Sequence, residues 1–342
     1  MFGMSAGLGV DLGTSNVAIY MRGKGIVLRE PCVVAVSKQT NEVLAVGEDA
    51  RQMLGRTPAN VVACRPLHDG VVADFTVAHK MLKHLFVRVC GRRLAKPTAV
   101  VSVPSDATSV ERRAVLEATT MAGAKRAIPL EACIAAAIGA ALPVMGATGS
   151  MVVTIGGGVT DMAVLSLGSI VVSDCLRFGG ERMDEVLLRH VKREHNLMIG
   201  ERTAEELKIA IGSTWPVGEG ETQTMAVRGR DMVTGLPKTI EVTSTEVREA
   251  LSEAAAPIVD RIRALLENTP PELAADIIDR GITLAGGGAL LRGLDQRIAH
   301  HTQVPVRVAD DPMSCVAIGA GQYLDVGKNL PKPRETTWRM EA

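Results

Sequence analysis

Two stretches of this sequence share one pattern, a buried strand followed by a glycine turn and a second strand. The first is GVDLGTSNVAIY (9–20) and the second is VVTIGGGVTDMAVL (152–165), with Asp11 and Thr154 at equivalent positions. Glycine turns between apolar runs are typical of tight hairpins. The repeat predicts a fold of two similar halves, each of which presents a hairpin turn to a shared cleft.

The rest of the chain alternates strands and helices, which predicts an α/β protein. With 342 residues, of which 46% are hydrophobic, it is long enough for two domains or one duplicated domain. Residues 213–245 have the composition of a β-rich insertion, and residues 281–300 are predicted to form a strand, a glycine turn and a helix. Apolar residues recur at helical spacing in 74–90, 109–123, 130–142, 180–195, 203–212 and 245–269.

The composition indicates which binding partners and which cellular compartment to expect. Lys plus Arg equals Asp plus Glu, and aromatic residues make up only 2%, so neither charge nor base stacking favours nucleic acid as the main partner. Six scattered cysteines without a C-x-x-C pair are typical of buried thiols in a reducing cytosol. The N-terminal MFGMSAG lacks signal-peptide features, and no run approaches the roughly 20 apolar residues of a spanning helix. We expect a cytoplasmic protein.

Three glycine turns form the candidate functional site: Gly13–Asn16, Gly156–Gly158 and Gly286–Gly288. Glycine lets backbone N–H groups approach a phosphate without a Cβ in the way. Polar side chains of the turns add donors, and Asp11 is a candidate to hold Mg²⁺ through water. The third turn precedes a predicted helix, whose N-terminus favours anionic groups. The sequence therefore predicts a nucleotide site, although it contains neither G-x-G-x-x-G nor the pattern G-x-x-x-x-G-K-[ST].

These motifs resemble those of the MreB family of bacterial actin-like proteins (MreB/Mbl-like), which shape rod cells. DLGTSN (11–16) resembles the family's first phosphate hairpin, and the resemblance extends from about residue 8 to about residue 328. Further matching stretches are LGRTPANVVACRPLHDGVVADF (54–75), VPSDATSVERRAVLEATTMAGA (103–124), LGSIVVSDCLRFGGERMDE (167–185), IGERTAEELKIAIGS (199–213) and LAGGGALLRGLD (284–295).

The resemblance implies an actin-like fold, the superfold of actin, sugar kinases and chaperone ATPases. Such a fold is a duplicated two-domain α/β structure, with four subdomains around a cleft that binds ATP and Mg²⁺. The implied subdomains are IA (1–31, 75–145 and 312–330), IB (32–74), IIA (146–181 and 246–311) and IIB (182–245), followed by a flexible tail (331–342).

The resemblance also assigns roles to residues around the nucleotide. One side of the phosphates would be met by Gly13, Thr14, Ser15 and Asn16, and the other by Gly156, Gly157 and Gly158. The ribose and adenine would lie near Glu205, Glu206, Leu207 and Lys208. The nucleotide would be backed by Gly286, Gly287, Gly288 and Ala289.

Two acids of the family pattern are missing from this chain. Where the family has V-V-D-I-G-G-G-T-T-E, the acid that helps order metal and water is replaced by Thr154. Where the family has E-E-P-M-A-A-A-I-G, the carboxylate that positions the attacking water is replaced by Ala132. The remaining candidates for a catalytic role are Glu131, Thr160 and Asp161. Loss of a general base costs about 10²–10⁴-fold in rate, so we expect weakened ATP hydrolysis.

The resemblance further implies attachment to the inner face of the plasma membrane. The segment CGRRLAKP (90–97) stands where the family carries a membrane-touching loop. Anionic lipid is the expected contact of Phe2, Met4, Arg92, Arg93, Leu94 and Lys96, and a solvated charged loop is the alternative. The implied partners are other copies of the chain in paired protofilaments, an MreB paralogue and the cell-wall elongation machinery.

Other functions of the same superfold remain open at this stage, because a fold alone does not fix function. A small-molecule kinase needs a catalytic acid in the cleft, and the acids expected near the γ-phosphate are missing here. A chaperone-like ATPase needs a substrate-binding domain, which we do not find in this sequence. The preferred function is therefore an ATP-binding filament protein that organises cell-wall synthesis and sets cell shape.

Overall fold

Two five-stranded sheets of the same topology form the two halves of the molecule. The computed structural model describes residues 7–91, 96–216 and 222–327. The first sheet contains, in spatial order, β10 (Arg126–Glu131), β9 (Thr98–Val103), β1 (Gly7–Leu12), β2 (Asn16–Met21) and β3 (Gly25–Pro31). The second contains, in spatial order, β13 (Ser169–Leu176), β12 (Thr160–Ser166), β11 (Ser150–Ile155), β17 (Ile282–Ala285) and β18 (Val306–Val308).

Strand directions in the two sheets are also the same. The strand before each glycine turn, β1 or β11, is antiparallel to the strand after it, and that strand is antiparallel to the next. The two remaining strands of each sheet run parallel to β1 or β11. These topologies confirm the prediction of a duplicated α/β fold.

Smaller sheets are inserted in each half. In the first half they are β5 (Val43–Val46), β4 (Val34–Ser37) and β6 (Val61–Cys64), and the pair β7 (Leu67–His68) and β8 (Val71–Val72). In the second half they are β14 (Leu197–Met198), β15 (Thr224–Asp231) and β16 (Pro237–Thr243). All lie within 32–74 or 182–245; the exact subdomain bounds stay a prediction, and the tail at 331–342 lies outside the described residues.

Helices cover the sheets and connect their strands. They are α1 (Glu48–Arg51), α2 (Phe75–Cys90), α3 (Ser109–Met121), α4 (Ala132–Gly139), α5 (Gly180–His195), α6 (Glu201–Ile211), α7 (Ser244–Glu267), α8 (Pro271–Arg280), α9 (Leu294–Thr302) and α10 (Cys315–Val326). Thr108 and Thr243 begin α3 and α7 with capping boxes, which satisfy the first backbone N–H groups of each helix. Within the described ranges, no helix is both long enough and apolar enough to cross a membrane.

The predicted helix at 130–142 is shorter than expected. Residues Arg126–Glu131 pair in parallel with β9, so Leu130 and Glu131 belong to a strand. The helix α4 then covers only Ala132–Gly139, and Ala141 adopts a φ of 55°, which does not continue a helix. Pairing with a neighbouring strand thus overrides the helical spacing of the apolar residues.

The helices α4 and α10 pack backbone against backbone between the two halves. Their small residues join a cluster that includes Val100 of β9 and Val152 of β11. A Cβ at Gly139 would overlap the carbonyl oxygen of Cys315, and a Cβ at Gly319 would overlap the carbonyl oxygen of Ala135. Only glycine at these two positions permits the observed approach of the helices.

We predict that Gly319→Ala lowers the free energy of unfolding by about 1–3 kcal/mol, the usual cost of overpacking a filled core. The added methyl group meets a helix backbone, which cannot turn away as a flexible side chain can. Urea unfolding followed by circular dichroism measures the change. The matched control is Gly200→Ala, because a Cβ at Gly200 meets open space. A loss no greater than that of the control would contradict the close packing.

Candidate functional site

A cavity of about 110 Å³ lies where β1, β9 and β11 end, between the two halves. All three predicted glycine turns contribute to its wall. Residues of the first half that line it are Asp11, Leu12, Gly13, Thr14, Gly70, Ser102, Val103, Pro104 and Ala132. The second half contributes Thr154, Gly156, Gly157, Gly158, Val159, Asp161 and Gly286, and Val316 of α10 also lines it.

The two hairpin turns touch each other across this cavity. A Cβ at Gly157 would overlap the hydroxyl of Ser15, and a Cβ at Gly158 would crowd the hydroxyl of Thr14. The Thr14 hydroxyl also accepts the backbone N–H of Gly70 at 2.9 Å. Glycine therefore gives this cleft backbone donors on both sides and no Cβ between them, as a phosphate cradle requires.

Asp11 is the acid of the first hairpin. It lines the cavity, and its Oδ1 accepts the Ser102 hydroxyl at 2.9 Å. Burial raises the pKa of Asp11 to about 6, against the opposing effect of the Ser102 hydrogen bond. At neutral pH the carboxylate is mostly ionised, so it can hold a hydrated cation.

Thr154 and Asp161 face each other in the second hairpin. They are direct cross-strand partners, so both side chains lie on the cavity face. The Thr154 hydroxyl donates to the backbone carbonyl of Asp161 at 3.0 Å. The equivalent pair in the first hairpin is Asp11 and Ala18. In each hairpin one residue of this pair is an acid. It lies before the turn in the first hairpin, as Asp11, and after the turn in the second, as Asp161.

The Asp161 carboxylate is held by the first half of the molecule. It accepts the backbone N–H of Ser105 at 3.1 Å and also the Ser105 hydroxyl. Burial raises the pKa of Asp161 to about 6, and the hydrogen bonds from Ser105 and Cys133 oppose that rise. Of the three predicted catalytic residues, Asp161 is the one that lines the cavity.

Glu131 is turned away from the cavity, although it is adjacent to the cavity residue Ala132. Its carboxylate accepts the Arg112 guanidinium at 3.0 Å, and the residue is only 6% exposed. The chain passes from β10 into α4 between these two residues, so their side chains point in different directions. Glu131 therefore lies outside the cavity wall, and its catalytic role stays a prediction.

Thr160 is also placed away from the cavity. Successive strand residues point to opposite faces, and its neighbour Asp161 faces the cavity. The Thr160 hydroxyl donates to the carbonyl of Phe178 at 2.8 Å and is fully buried. This hydrogen bond fixes the loop between β13 and α5, and the catalytic role of Thr160 stays a prediction.

The residues predicted to meet ribose and adenine lie on α6, and only part of the set faces the cleft. Lys208 pairs with Asp184 at 2.7 Å and donates to the Gly180 carbonyl at 2.9 Å, close to the second hairpin. Glu205 pairs across the cleft with Arg51 at 3.4 Å. The other two side chains point elsewhere: that of Leu207 is buried in the core of the second half, and that of Glu206 pairs with Arg202 on its own helix.

The third glycine turn does not lead directly into an α-helix. Gly286 lines the cavity with a φ of 82°. Residues Gly287–Leu290, including Ala289, form a single 3₁₀ turn, and α9 begins only at Leu294. The expected helix N-terminus behind the nucleotide is therefore corrected to a short turn, whose donors are a few backbone N–H groups.

The predicted membrane residues cannot be placed, with one exception. Phe2, Met4, Arg92, Arg93 and Leu94 lie outside the described residues. Lys96 is described and exposed.

Ion pairs across the cleft were not predicted from the sequence. Arg65 of the first half pairs with Glu201 at 3.0 Å, and the Ser15 hydroxyl donates to Glu181 at 2.7 Å. Arg177 of the second half binds the Asp106 carboxylate with both nitrogens of its fork. The first two contacts join residues 136 and 166 positions apart, so no local pattern indicates them.

Comparison with known proteins gives one consistent family. A family model described as "MreB/Mbl protein" matches residues 5–332. The cell shape-determining protein Mbl of Bacillus subtilis is 52% identical over 326 residues, which cover 95% of this chain and 97% of that protein.

Solved structures agree with this assignment. MreB 5 of Spiroplasma citri bound to AMPPNP has a TM-score of 0.90 at 38% identity, over 95% of this chain and 98% of that chain. The same protein bound to ADP also has a TM-score of 0.90. A MamK double helical filament, 23% identical over 96% of this chain and 100% of that chain, shares the fold with a TM-score of 0.79. The chain belongs to the MreB/Mbl family of actin-like proteins.

Proposed function

We propose that this chain binds ATP with Mg²⁺ in the central cleft and assembles into filaments that help to set cell shape. The observation that carries the proposal is the pair of facing glycine hairpins around a cavity that also contains Asp11. Support comes from the relatives, because Mbl is named for cell shape and MreB 5 was solved with AMPPNP and with ADP.

In this proposal the protein acts mainly by binding and orienting. Backbone N–H groups of Gly13–Asn16 and Gly156–Gly158 contact the phosphates from the two halves. Asp11 holds the hydrated Mg²⁺, which neutralises phosphate charge when it is bound. Lys208 and Glu205 lie on the adenine side. Because both halves contact one ligand, the nucleotide joins them.

Hydrolysis is proposed to be slow. Ala132 and Thr154 line the cavity at the positions where the family pattern has acids, and neither side chain can accept a proton from water. Asp11 is assigned to the hydrated cation, so Asp161 is the other carboxylate of the cavity, but Ser105 and Cys133 already occupy its oxygens. A general base must be free to contact the attacking water, so Asp161 in this arrangement is a poor substitute.

The proposed assembly has four kinds of partner. Copies of the chain form paired protofilaments, and an MreB paralogue with intact acids co-assembles with them. Anionic lipid at the inner face of the membrane and the cell-wall elongation machinery complete the set. The double helical filament of MamK, which shares the fold, supports the first of these, and the weakened site supports the second.

The first prediction tests nucleotide binding. Titration calorimetry should give micromolar affinity for Mg-ATP, which corresponds to about −8 kcal/mol. Asp11→Asn should weaken binding at least tenfold with Mg²⁺ and much less with EDTA, whereas Asp49→Asn, at an exposed position of α1, should change neither. Because the Asp11 pKa is raised to about 6, the advantage from Mg²⁺ should be nearly full at pH 7.5 and be lost as the pH falls through about 6. Absence of ATP binding at millimolar concentration would refute the proposed function.

The second prediction concerns catalysis. Ala132→Glu with Thr154→Asp should raise phosphate release by roughly 10²-fold or more, because a general base and a metal-ordering acid return together. Each single change should have a smaller effect, since residues that act as a unit are not additive. The matched control is Ala132→Gln with Thr154→Asn, which has the same shapes without the charges. If the unmodified protein already releases phosphate as fast as the double variant, the site is not impaired.

The third prediction concerns attachment to the membrane through residues that the sequence indicates. Serine at Arg92, Arg93 and Lys96 should release filaments from liposomes that contain anionic lipid, because each basic group contributes about 1 kcal/mol near such a surface. Assembly should persist, and monomers should bind weakly in either form, since a filament multiplies the contacts. Serine at Arg228, Arg230 and Lys192, all exposed on the second half, is the control. Unchanged co-sedimentation of the first variant would exclude this loop as the anchor.

A further inference from the structure

A second cavity, of about 240 Å³, lies at the opposite ends of the strands that form the nucleotide cavity. It is lined where β11 and β17 begin, whereas the nucleotide cavity is lined where they end. Its polar wall consists of Arg280, Arg307, Thr283 and Ser150, and its apolar wall includes Leu142 and Met151. We call it the arginine cavity.

Two arginines line the arginine cavity from different elements. Arg280 is the last residue of α8, and Arg307 lies on β18 in register with Thr283 of β17. The Arg307 Nε donates to the Thr283 hydroxyl at 3.0 Å, which fixes the direction of that side chain. Thr283 is only 2% exposed and Ser150 only 4%, so the floor between the arginines is a buried polar surface.

Neither arginine has a carboxylate partner among the residues that the structure describes. Asp276, one turn before Arg280 on α8, accepts the backbone N–H of Gly149 at 2.6 Å instead. By contrast, Arg112 and Arg177, which also lie between structural elements, are both paired with acids. The arginine cavity therefore contains two guanidinium side chains that form no ion pair with the described residues.

Exposed arginines are usually solvated and need no ligand. Arg280 and Arg307 are both exposed, but they line one concave site together with buried hydroxyl groups and an apolar wall. A guanidinium presents a planar fork of donors that matches the oxygens of a carboxylate or phosphate. An anion between the two arginines would satisfy both forks and remove their mutual repulsion.

We propose that the arginine cavity binds an oxyanion group, a phosphate or a carboxylate, at a site separate from the nucleotide. The four residue steps from Ser150 to Thr154 along β11 span roughly 13 Å, so one ligand group cannot occupy both cavities. The oxyanion comes either from free phosphate in solution or from a side-chain carboxylate of a second copy of this chain. Both sources present oxygen atoms that a guanidinium group can bind, and the two experiments below distinguish the sources.

The first experiment measures phosphate binding by phosphorus NMR or calorimetry, on monomers below the critical concentration and saturated with ATP. We expect inorganic phosphate to bind at millimolar concentration despite the bound nucleotide. Arg280→Ala and Arg307→Ala should each weaken this binding at least tenfold, and Arg→Lys should restore part of it, because the charge returns without the fork. The matched control, Arg228→Ala, removes an exposed arginine of β15 and should have no effect. Thermal unfolding midpoints confirm that each variant is folded.

The second experiment measures the critical concentration for assembly by sedimentation, without added phosphate. If a neighbouring copy supplies the oxyanion, both alanine variants should raise the critical concentration at least tenfold, and added phosphate should raise that of the unmodified protein. If phosphate is the ligand, assembly of the variants should match the control while their phosphate affinity falls. Unchanged phosphate affinity together with unchanged assembly in both alanine variants would overturn the proposal. Loss of ATP binding would concern the nucleotide site, so the two proposals fail separately.

Discussion

The close contact of α4 and α10 is the constraint on which the rest of the structure depends. These helices lie between two sheets of the same topology, and Gly139 and Gly319 let their backbones touch. Because the helices are this close, the strands that carry the hairpins, β1 and β11, end on one shared cavity rather than on two separate surfaces. The functional site is therefore a product of domain packing, and its residues become neighbours only when the halves are joined.

The two hairpins also approach each other closely because of glycines. Gly157 and Gly158 leave room for Ser15 and Thr14, so the two turns touch without a Cβ between them. Charged contacts on either side of this point, such as those of Arg65 and Arg177, link the halves around the cavity. The two halves are thus connected by apolar packing at α4 and α10, and by ion pairs and hydrogen bonds near the cavity. The ion pairs are the contacts that salt weakens.

Local pattern in the sequence was enough to predict the duplicated hairpins, because a glycine turn between two apolar runs specifies its own geometry. The resemblance to the family pattern, rather than local pattern, pointed to Ala132 and Thr154, which both line the cavity. Pattern was not enough for Glu131, the last residue of β10, whose carboxylate is bound by Arg112 of α3. It was also not enough for the helix at 130–142, part of which pairs with β9. Thr160 could have been excluded from the cavity wall by strand alternation alone. No local sequence pattern indicates the arginine cavity, because Arg280 and Arg307 come to line one cavity only through the parallel pairing of β17 and β18.

The exchange of acid and neutral residue between the hairpins makes the cleft directional. A duplicated fold with identical hairpins would present the same surface to each end of a ligand. Here the acid precedes the turn in the first half, as Asp11, and follows it in the second, as Asp161. Asp11 accepts the hydroxyl of Ser102, which belongs to the same half. Asp161 instead accepts the hydroxyl of Ser105, which belongs to the other half. An elongated anion with a cation at one end therefore has one preferred orientation in an otherwise symmetric frame.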